Sequence, residues 1–259
     1  MAAVFFPLSS GNATLSAPEI IQLARQQLIL PAEVSQGEMT VYRGEAVKRS
    51  CSFVMGKLWD DANQTEAVRI DFKTAVNSIG DSALYADQRY LLKRTGQAPA
   101  SQWLYLPALR RVRIVPFQPD DRLLHSHMLF YDLLPVQNFG DYHYRFLDTN
   151  DQAPVIEGTP LGSALAVPYE RIVFHLKKQG NTYLVTTIQS MVNGKEKDAR
   201  FTEFDEIAPG YYRPGRLSIT ENAERTEFVF AHWSVRPADP QLLIPTRLET
   251  QTLQFPTAP

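Results

Sequence analysis

The sequence has a single cysteine, almost no net charge and no long apolar run. Cys51 is the one cysteine in 259 residues, which excludes an intramolecular disulfide framework and a metal site built from several cysteines of one chain. Lysine and arginine number 26 and aspartate and glutamate 28, for a net charge of -2, so we do not expect nucleic acid as a partner. No apolar run approaches the ~18–20 residues that span a bilayer.

The chain also begins without a recognisable export signal. Residues 1–7 read MAAVFFP, an apolar run that is too short for a signal sequence and has no basic residue before it. Two interpretations stay open: the protein remains where it is made, or a signal has been removed.

Motifs for nucleophilic and phosphate chemistry are missing as well. Neither a Gly-x-Ser-x-Gly elbow nor a glycine-rich phosphate loop occurs. Cys51 lies between Ser50 and Ser52, with no histidine close in sequence, so we interpret it as a small buried apolar residue. We therefore predict no enzymatic activity and no cofactor.

Three histidines keep one enzymatic alternative open. His125 and His127 are two residues apart, so on a strand both rings would face the same side, and Asp141 and His143 follow with the same spacing. Three histidines and a carboxylate suit a catalytic zinc or iron ion. The apolar residues around His125 and His127 favour a partly buried segment instead. A metal-dependent enzyme using His125, His127 and His143 is therefore kept as an alternative only.

One helix is predicted near the start of the chain, over residues 18–30. Ser16 can cap it, with Glu19 three residues later as a capping box requires, and Pro18 suits the first turn. The pattern stops at Pro31. The apolar residues that recur at helical spacing, and that we expect to face the rest of the protein, are Ile20, Leu23, Ala24 and Leu28.

The remaining chain has the pattern of short antiparallel strands. Residues 68–75 alternate between apolar side chains and the polar Arg69, Asp71 and Lys73. Strands are also predicted at 85–92, 103–106, 171–176, 183–192, 197–207, 216–220 and 228–235. Asn193-Gly194 is the strongest hairpin signal. Prolines are frequent between residues 107 and 168, and we expect residues 148–163 to form a long loop.

Aromatic residues are abundant on these predicted strands, with 14 Phe, 11 Tyr and 3 Trp in the chain. A curved sheet covered by one long helix would leave a cavity for an apolar ligand, whereas an ordinary core would fill that space, and composition does not separate the two. Arg110, Arg111 and Arg113 form a basic cluster. It is either a solvated strand face or a contact for anionic head groups, an acidic partner or nucleic acid.

Residues 103–133 carry a resemblance to a known family. WLYLPALRRVRIV followed by HSHMLFYDLL resembles the segment W-x-Y-x-P-x-x-x-x-x-R-R-I … S-D-F-x-x-E-D-L of the outer-membrane lipoprotein-sorting (LolA/LolB-like) family, in particular its periplasmic branch often linked to RND-type exporters. The opening helix, the hairpin at 183–207 and the closing LLIPTRLE at 242–249 agree in order. Ser126, Asp132 and Leu133 keep the family pattern, whereas its other acidic positions are replaced here.

The resemblance implies a mainly β (α+β) fold, a strongly curved antiparallel half-barrel whose concave face is covered by helices, in a single domain with its core at about 17–249. It also implies a non-enzymatic periplasmic protein that binds a lipid or a lipoprotein acyl chain in an apolar cavity, for transfer toward the outer membrane. An alternative is an interaction module of an RND-type exporter, without a ligand. The residues that we expect at the cavity are Leu23, Phe72, Tyr90, Leu104 and Leu106, with Arg110 and Arg113 near its mouth.

Overall fold

The computed structural model describes residues 15–73, 86–162, 167–236 and 240–254. The apolar start at residues 1–7 lies outside these described ranges, as do residues 74, 75 and 85 at the ends of two predicted strands. No helix in the described ranges is both long and apolar enough to cross a membrane.

One antiparallel sheet of thirteen strands forms the body of the described structure. Its strands are β1 Ala32–Arg43, β2 Ala46–Asp60, β3 Thr65–Phe72, β4 Arg89–Thr95, β5 Ser101–Leu106, β6 Arg111–Val115, β7 Tyr142–Asp148, β8 Val155–Pro160, β9 Arg171–Gln179, β10 Thr182–Val192, β11 Lys195–Ala208, β12 Tyr211–Glu221 and β13 Glu224–Val235. The helices are α1 Ala17–Gln26, α2 Pro135–Asn138 and α3 Arg247–Thr250, with short 3₁₀ turns at Pro107–Leu109, Leu123–His125, Phe130–Leu133, Phe139–Asp141 and Pro240–Leu243.

The sheet consists of two meanders that meet in its middle. Its strand order is β6-β5-β4-β3-β2-β1-β13-β12-β11-β10-β9-β8-β7, so neighbours in the sheet are neighbours in the chain everywhere except at the β1–β13 pair. The sheet curves into a half-barrel and does not close, and β6 and β7 are its two edges. The predicted fold class is confirmed.

The chain between the two edge strands, residues 116–141, fills much of the concave side, and we call it the strap. Six of its apolar residues pack into the core formed by β1–β4, β12 and β13: Leu123, Leu124, Met128, Phe130, Leu133 and Leu134. Leu129, Tyr131 and Phe139 of the same segment pack into a second core with α1 and β7–β10. The strap therefore joins both meanders as well as both edges.

Helix α1 covers the β7–β10 half of the concave face. The capping box forms as predicted, because the Glu19 carboxylate accepts hydrogen bonds from the Ser16 backbone N–H (2.7 Å) and hydroxyl (2.6 Å). The helix ends at Gln26 rather than near residue 30. Its end is tied to β12, since Arg213 Nη1 donates to the backbone oxygen of Gln27 at 2.6 Å.

The predicted inward face of α1 is partly confirmed. Ile20 and Ala24 are buried, as are Ala17 and Ile21. Leu23 and Leu28 are half-buried and pack against the second core.

The predicted hairpins are confirmed by the strand register. Val192 of β10 lies opposite Lys195 of β11, and the two residues between them, Asn193 (φ 50°) and Gly194 (φ 71°), both have positive φ. A turn of this kind matches the twist of the flanking strands. The β9–β10 turn at Gly180-Asn181 also joins directly paired residues, Gln179 and Thr182.

The prediction of a long loop at residues 148–163 is wrong for the second half of that range. Strand β8 runs from Val155 to Pro160 and pairs with both β7 and β9. Its prolines flank the strand or end it, where a missing N–H is tolerated. Gly158 permits the pairing because a Cβ atom there would meet Ile172 Cγ2 at 2.8 Å.

Strand β3 is buried on both faces, which its alternating sequence did not predict. Ile70 and Phe72 point into the concave core, as expected. Arg69 and Asp71 point to the convex side, yet they are also buried. The cover is the C-terminal segment, since Leu253 N–H donates to Asp71 Oδ2 at 2.6 Å and Arg69 donates to the backbone oxygen of Gln251.

Candidate functional site

An apolar cavity of about 220 Å³ lies between the concave face of the sheet, α1 and the strap. Every second residue of a strand faces the same side, so β2, β12 and β13 each send a row of side chains into its wall. Aromatic and aliphatic groups make up most of that wall, among them Phe53, Phe72, Leu217, Ile219, Phe228 and Trp233. The cavity exists because the strap and α1 cover the concave face without filling it.

Charged groups interrupt the apolar wall at two places, and the first is an ion pair. Lys197 of β11 is 3% exposed, and its Nζ lies 2.5 Å from Asp132 Oδ2 of the strap. Lys197 also donates to the hydroxyl of Tyr169 at 2.6 Å, and that hydroxyl donates to Asp132. Burial, followed by the charge of Asp132, raises the pKa of Tyr169 well above its usual value. Lysine, aspartate and tyrosine thus satisfy one another.

The second polar place brings two cations to one carboxylate. Glu33 of β1 lies opposite Lys57 of β2 in the register, with 3.9 Å between Glu33 Oε1 and Lys57 Nζ. Arg213 of β12 donates from Nε to Glu33 Oε2 at 2.8 Å. Lys57 and Arg213 both line the cavity. Burial, with a further contribution from Arg213, lowers the pKa of Lys57.

Glu66 lies beside this group and holds the strap to the sheet. Its carboxylate accepts hydrogen bonds from the backbone N–H groups of Val136 (3.3 Å) and Gln137 (2.9 Å) in the first turn of α2. Burial outweighs these bonds and raises the pKa of Glu66 to about 7. Lys57 and Arg25 oppose that rise with their positive charges. Glu66 therefore changes its charge near neutral pH while remaining inside the protein.

One of the seven residues expected at the cavity, Phe72, lines it. Tyr90 is buried in the first core, with its ring 5.5 Å from that of Phe130 of the strap. Leu104 packs against the same core, and Leu106 is half-buried at the end of β5. Tyr90 and Leu104 pack against the core to which the strap contributes, and none of the three residues lines the cavity.

The other three expected residues also lie apart from the cavity. Leu23 is half-buried on α1, facing the second core. Arg110 is exposed and has a positive φ of 47° after the 3₁₀ turn Pro107–Leu109, and Arg113 is exposed on the edge strand β6. The basic cluster therefore lies exposed at one edge of the sheet.

The three histidines do not form a metal site. His125 ends a 3₁₀ turn and His127 follows in irregular chain, so neither lies on a strand as expected. His127 Nδ1 lies 2.8 Å from the hydroxyl of Thr226, and His143 is exposed on β7. Within the described ranges, no three His, Cys, Asp or Glu residues lie together as metal ligands would.

Cys51 is 4% exposed in the first core. Burial raises the pKa of its thiol to about 12. A cysteine acts as a nucleophile through its thiolate, so Cys51 stays protonated and unreactive at neutral pH. The interpretation of Cys51 as a buried apolar residue agrees with this position.

The polar residues of the cavity wall were missed in the sequence, although a signal was present. Phe53, Met55 and Lys57 alternate along β2 and face the same side, so the lysine continues a row of apolar side chains. On β12, Arg213 likewise faces the same side as the buried Leu217 and Ile219. A cation in the buried phase of a strand is unusual, and it marks both residues as candidates.

Comparison with known proteins adds a family and a fold. A family model described as an uncharacterized protein matches residues 77–249. No curated protein matches the chain. The chain is similar to a domain from Vibrio parahaemolyticus described as an outer membrane lipoprotein-sorting protein, with 16% identity, a TM-score of 0.75, and 90% of this chain and 99% of that one covered.

Two further solved structures are similar. A DUF1329 family protein from Desulfovibrio piger is 17% identical, with a TM-score of 0.77 over 90% of this chain and 97% of that one. A LolA superfamily protein from Nitrosomonas europaea is 16% identical, with a TM-score of 0.64 over 89% and 98%. The chain therefore belongs to the family whose model matches residues 77–249, and its fold is that of the lipoprotein-sorting domains of the LolA superfamily.

Proposed function

We propose that the protein is a non-enzymatic carrier that holds an acyl chain of a lipid or of a lipidated protein in its cavity. The observation that carries the proposal is the apolar space enclosed by α1, the strap and the sheet. Water gains few hydrogen bonds from an apolar wall, so an apolar occupant is favoured there.

The size of the cavity limits the ligand to one chain. At about 220 Å³, it is larger than the ~150 Å³ cavity that accepts benzene and smaller than the ~300–1,000 Å³ sites of drug-sized ligands. Each buried methylene contributes about 0.8 kcal/mol. A chain of about twelve carbons would then gain roughly 10 kcal/mol before several kcal/mol of association cost, which leaves affinity in the micromolar range.

The similar structures support a role in lipid handling outside the cytoplasm. One of them is described as an outer membrane lipoprotein-sorting protein domain. By analogy with that description, we place this protein in the periplasm, with transfer of its ligand toward the outer membrane as its task.

Two measurements test the proposal. Protein purified without detergent is extracted with organic solvent, and lipid is sought by mass spectrometry. The same protein is then titrated with a fluorescent fatty acid, and Ala199→Phe, which places a ring in the cavity wall, should weaken binding about tenfold or more because the ring takes the space of the chain. Ala46→Phe, at an exposed position of β2, is the matched control and should leave binding unchanged.

The carrier function is rejected if the wild-type protein contains no extractable lipid and takes up no probe. The alternative function, an interaction module of an RND-type exporter without a ligand, would then be the better interpretation. Equal binding by Ala199→Phe and the wild-type protein would place the ligand elsewhere on the molecule.

A further inference from the structure

The two polar places in the cavity wall differ in their charge balance. At one of them, Lys197 meets Asp132 at 2.5 Å, and Tyr169 bonds to both. One cation and one carboxylate cancel there. A charged ligand would have to break that ion pair in order to bind.

At the other place, the nearest carboxylate oxygen of an ion-pair partner lies 3.9 Å from Lys57 Nζ. Lys57 and Arg213 share the single carboxylate of Glu33, which is closer to Arg213 (2.7 Å) than to Lys57 (3.9 Å). Glu66 is the second acidic group that acts on Lys57. Burial raises the pKa of Glu66 to about 7, which weakens its attraction to Lys57 near neutral pH. Lys57 therefore lacks the close carboxylate partner that Lys197 and Arg213 have.

Lys57 lies at a position where the head group of a ligand would lie. The side chain of Lys57 is 23% exposed, whereas that of Glu33 is 3% exposed, so Lys57 borders both solvent and cavity. Phe53 and Met55, which precede Lys57 on the same face of β2, continue into the apolar wall. A ligand with its charged end at Lys57 would lay its chain along these residues.

We infer that the ligand is an anionic single-chain amphiphile whose carboxylate or phosphate head is held by Lys57 and Arg213. This inference rests on the proposed carrier function and adds the chemical class of the ligand. The anion would give Lys57 the close partner that Glu33, at 3.9 Å, does not supply. Hydrogen bonds between ionised partners are about twice as strong as neutral ones, so the head group adds selectivity to the affinity of the chain.

The test compares ligands that share a dodecyl chain and differ only in the head. Delipidated wild-type protein is titrated calorimetrically at neutral pH with laurate, dodecyl phosphate, dodecanol and dodecyltrimethylammonium, with the three charged ligands below their micelle concentrations and dodecanol below its solubility limit. We expect the two anions to bind about tenfold or more tightly than the alcohol, and the cation to bind most weakly. Comparing laurate with dodecyl phosphate distinguishes a carboxylate head from a phosphate head.

A variant locates the head group. Lys57→Met keeps the length of the side chain, removes its charge, and should lose most of the preference for anions while retaining dodecanol binding. Lys48→Met, at an exposed position of the same strand, is the matched control and should keep the full preference. Because the comparison of head groups on the wild-type protein needs no variant, the test stands even if Lys57→Met folds poorly.

The possible outcomes distinguish a failure of this inference from a failure of the proposed carrier function. If all four ligands bind equally, or if Lys57→Met keeps the preference for anions, the inference is overturned and the carrier function stands. If none of them binds, the carrier function itself fails.

Discussion

Arg69 and Asp71, two residues apart on the convex face of β3, form a buried ion pair with 2.7 Å between Arg69 Nε and Asp71 Oδ1. Their side chains are 0% and 1% exposed. A second contact joins Arg69 Nη2 to Asp71 Oδ2 at 2.8 Å. The pair is bidentate, and it also binds the backbone of the C-terminal segment at Gln251 and Leu253. It links β3 to the C-terminal segment.

Breaking this pair should destabilise the protein strongly. Asp71→Ala leaves the Arg69 charge buried without its carboxylate and removes the acceptor of Leu253 N–H, so we expect the free energy of unfolding to fall by about 3–5 kcal/mol. Urea denaturation followed by circular dichroism measures the change.

An exposed ion pair provides the control for that measurement. Arg43 and Glu224 are 71% and 46% exposed, with 3.4 Å between Arg43 Nε and Glu224 Oε1. Arg43→Gln should cost less than about 1 kcal/mol. Equal losses for Asp71→Ala and Arg43→Gln would show that the C-terminal segment does not cover β3 in solution.

Leu253 provides an independent test of the same cover. It is 2% exposed and forms a small core with Val34 and Val54 on the convex side of the sheet. Leu253→Ala should lower the free energy of unfolding by about 2–5 kcal/mol, because it leaves a cavity there. Leu109→Ala, at a side chain that is 51% exposed, should change stability by no more than about 0.5 kcal/mol. A similar small change for Leu253→Ala would argue against this core.

The Asn193-Gly194 turn predicts a cost for a branched side chain. Gly194 has a φ of 71° and open space where a Cβ atom would lie, so backbone conformation alone opposes substitution. Gly194→Val should destabilise by about 1 kcal/mol or more. Gly194→Asn should cost less, since asparagine tolerates this conformation. Thermal unfolding compares the two variants, and an unchanged melting temperature in Gly194→Val would mean that the turn is placed wrongly.

The raised pKa of Glu66 predicts that the free energy of unfolding falls as pH rises toward neutrality. Its pKa is about 7 in the folded protein and 4.5 for the unperturbed group, so the folded state binds more protons between these two values. Stability contributed by the protonated carboxyl is fully present below about pH 4.5 and is lost as pH rises through about 7. The difference amounts to roughly 3 kcal/mol.

Urea denaturation at about pH 5 and about pH 8 measures this dependence on pH. Glu66→Gln removes the titrating group and should flatten the dependence relative to the wild-type protein. The charged groups that face Glu66 are Lys57, Arg25 and Arg94. Glu45→Gln, on the exposed β1–β2 turn, should leave the wild-type dependence intact, and an identical dependence in Glu66→Gln would mean that Glu66 is ionised throughout.

Local patterns predicted much of the fold because they are decided by neighbouring residues. The Ser16–Glu19 capping box and the Asn193-Gly194 hairpin each depend on a few adjacent side chains, and both formed as predicted. Strand β8 was missed because Pro154 and Pro160 favour a loop in the sequence, whereas the strand is held by pairing with β7 and β9. No local pattern carries that information.

The cavity was harder to predict than the fold for a related reason. Phe72 and Tyr90 carry the same signal, an aromatic residue on the inner face of a strand, yet only Phe72 lines the cavity. The difference lies in the strap, which places Phe130 against Tyr90. Which inner-facing residues border empty space thus depends on a segment that the alternation of the strands does not describe.

The central β1–β13 ladder has a consequence for how the protein folds. These two strands begin and end the sheet in the chain but are neighbours in its middle, whereas each meander pairs only strands that follow one another. Until β13 pairs with it, the β1 edge of the first meander has no partner in the sheet. A ladder with such a wide sequence separation forms slowly. A folding intermediate that contains only the first meander would therefore expose the backbone N–H and C=O groups of β1, to which a strand of another chain can bind.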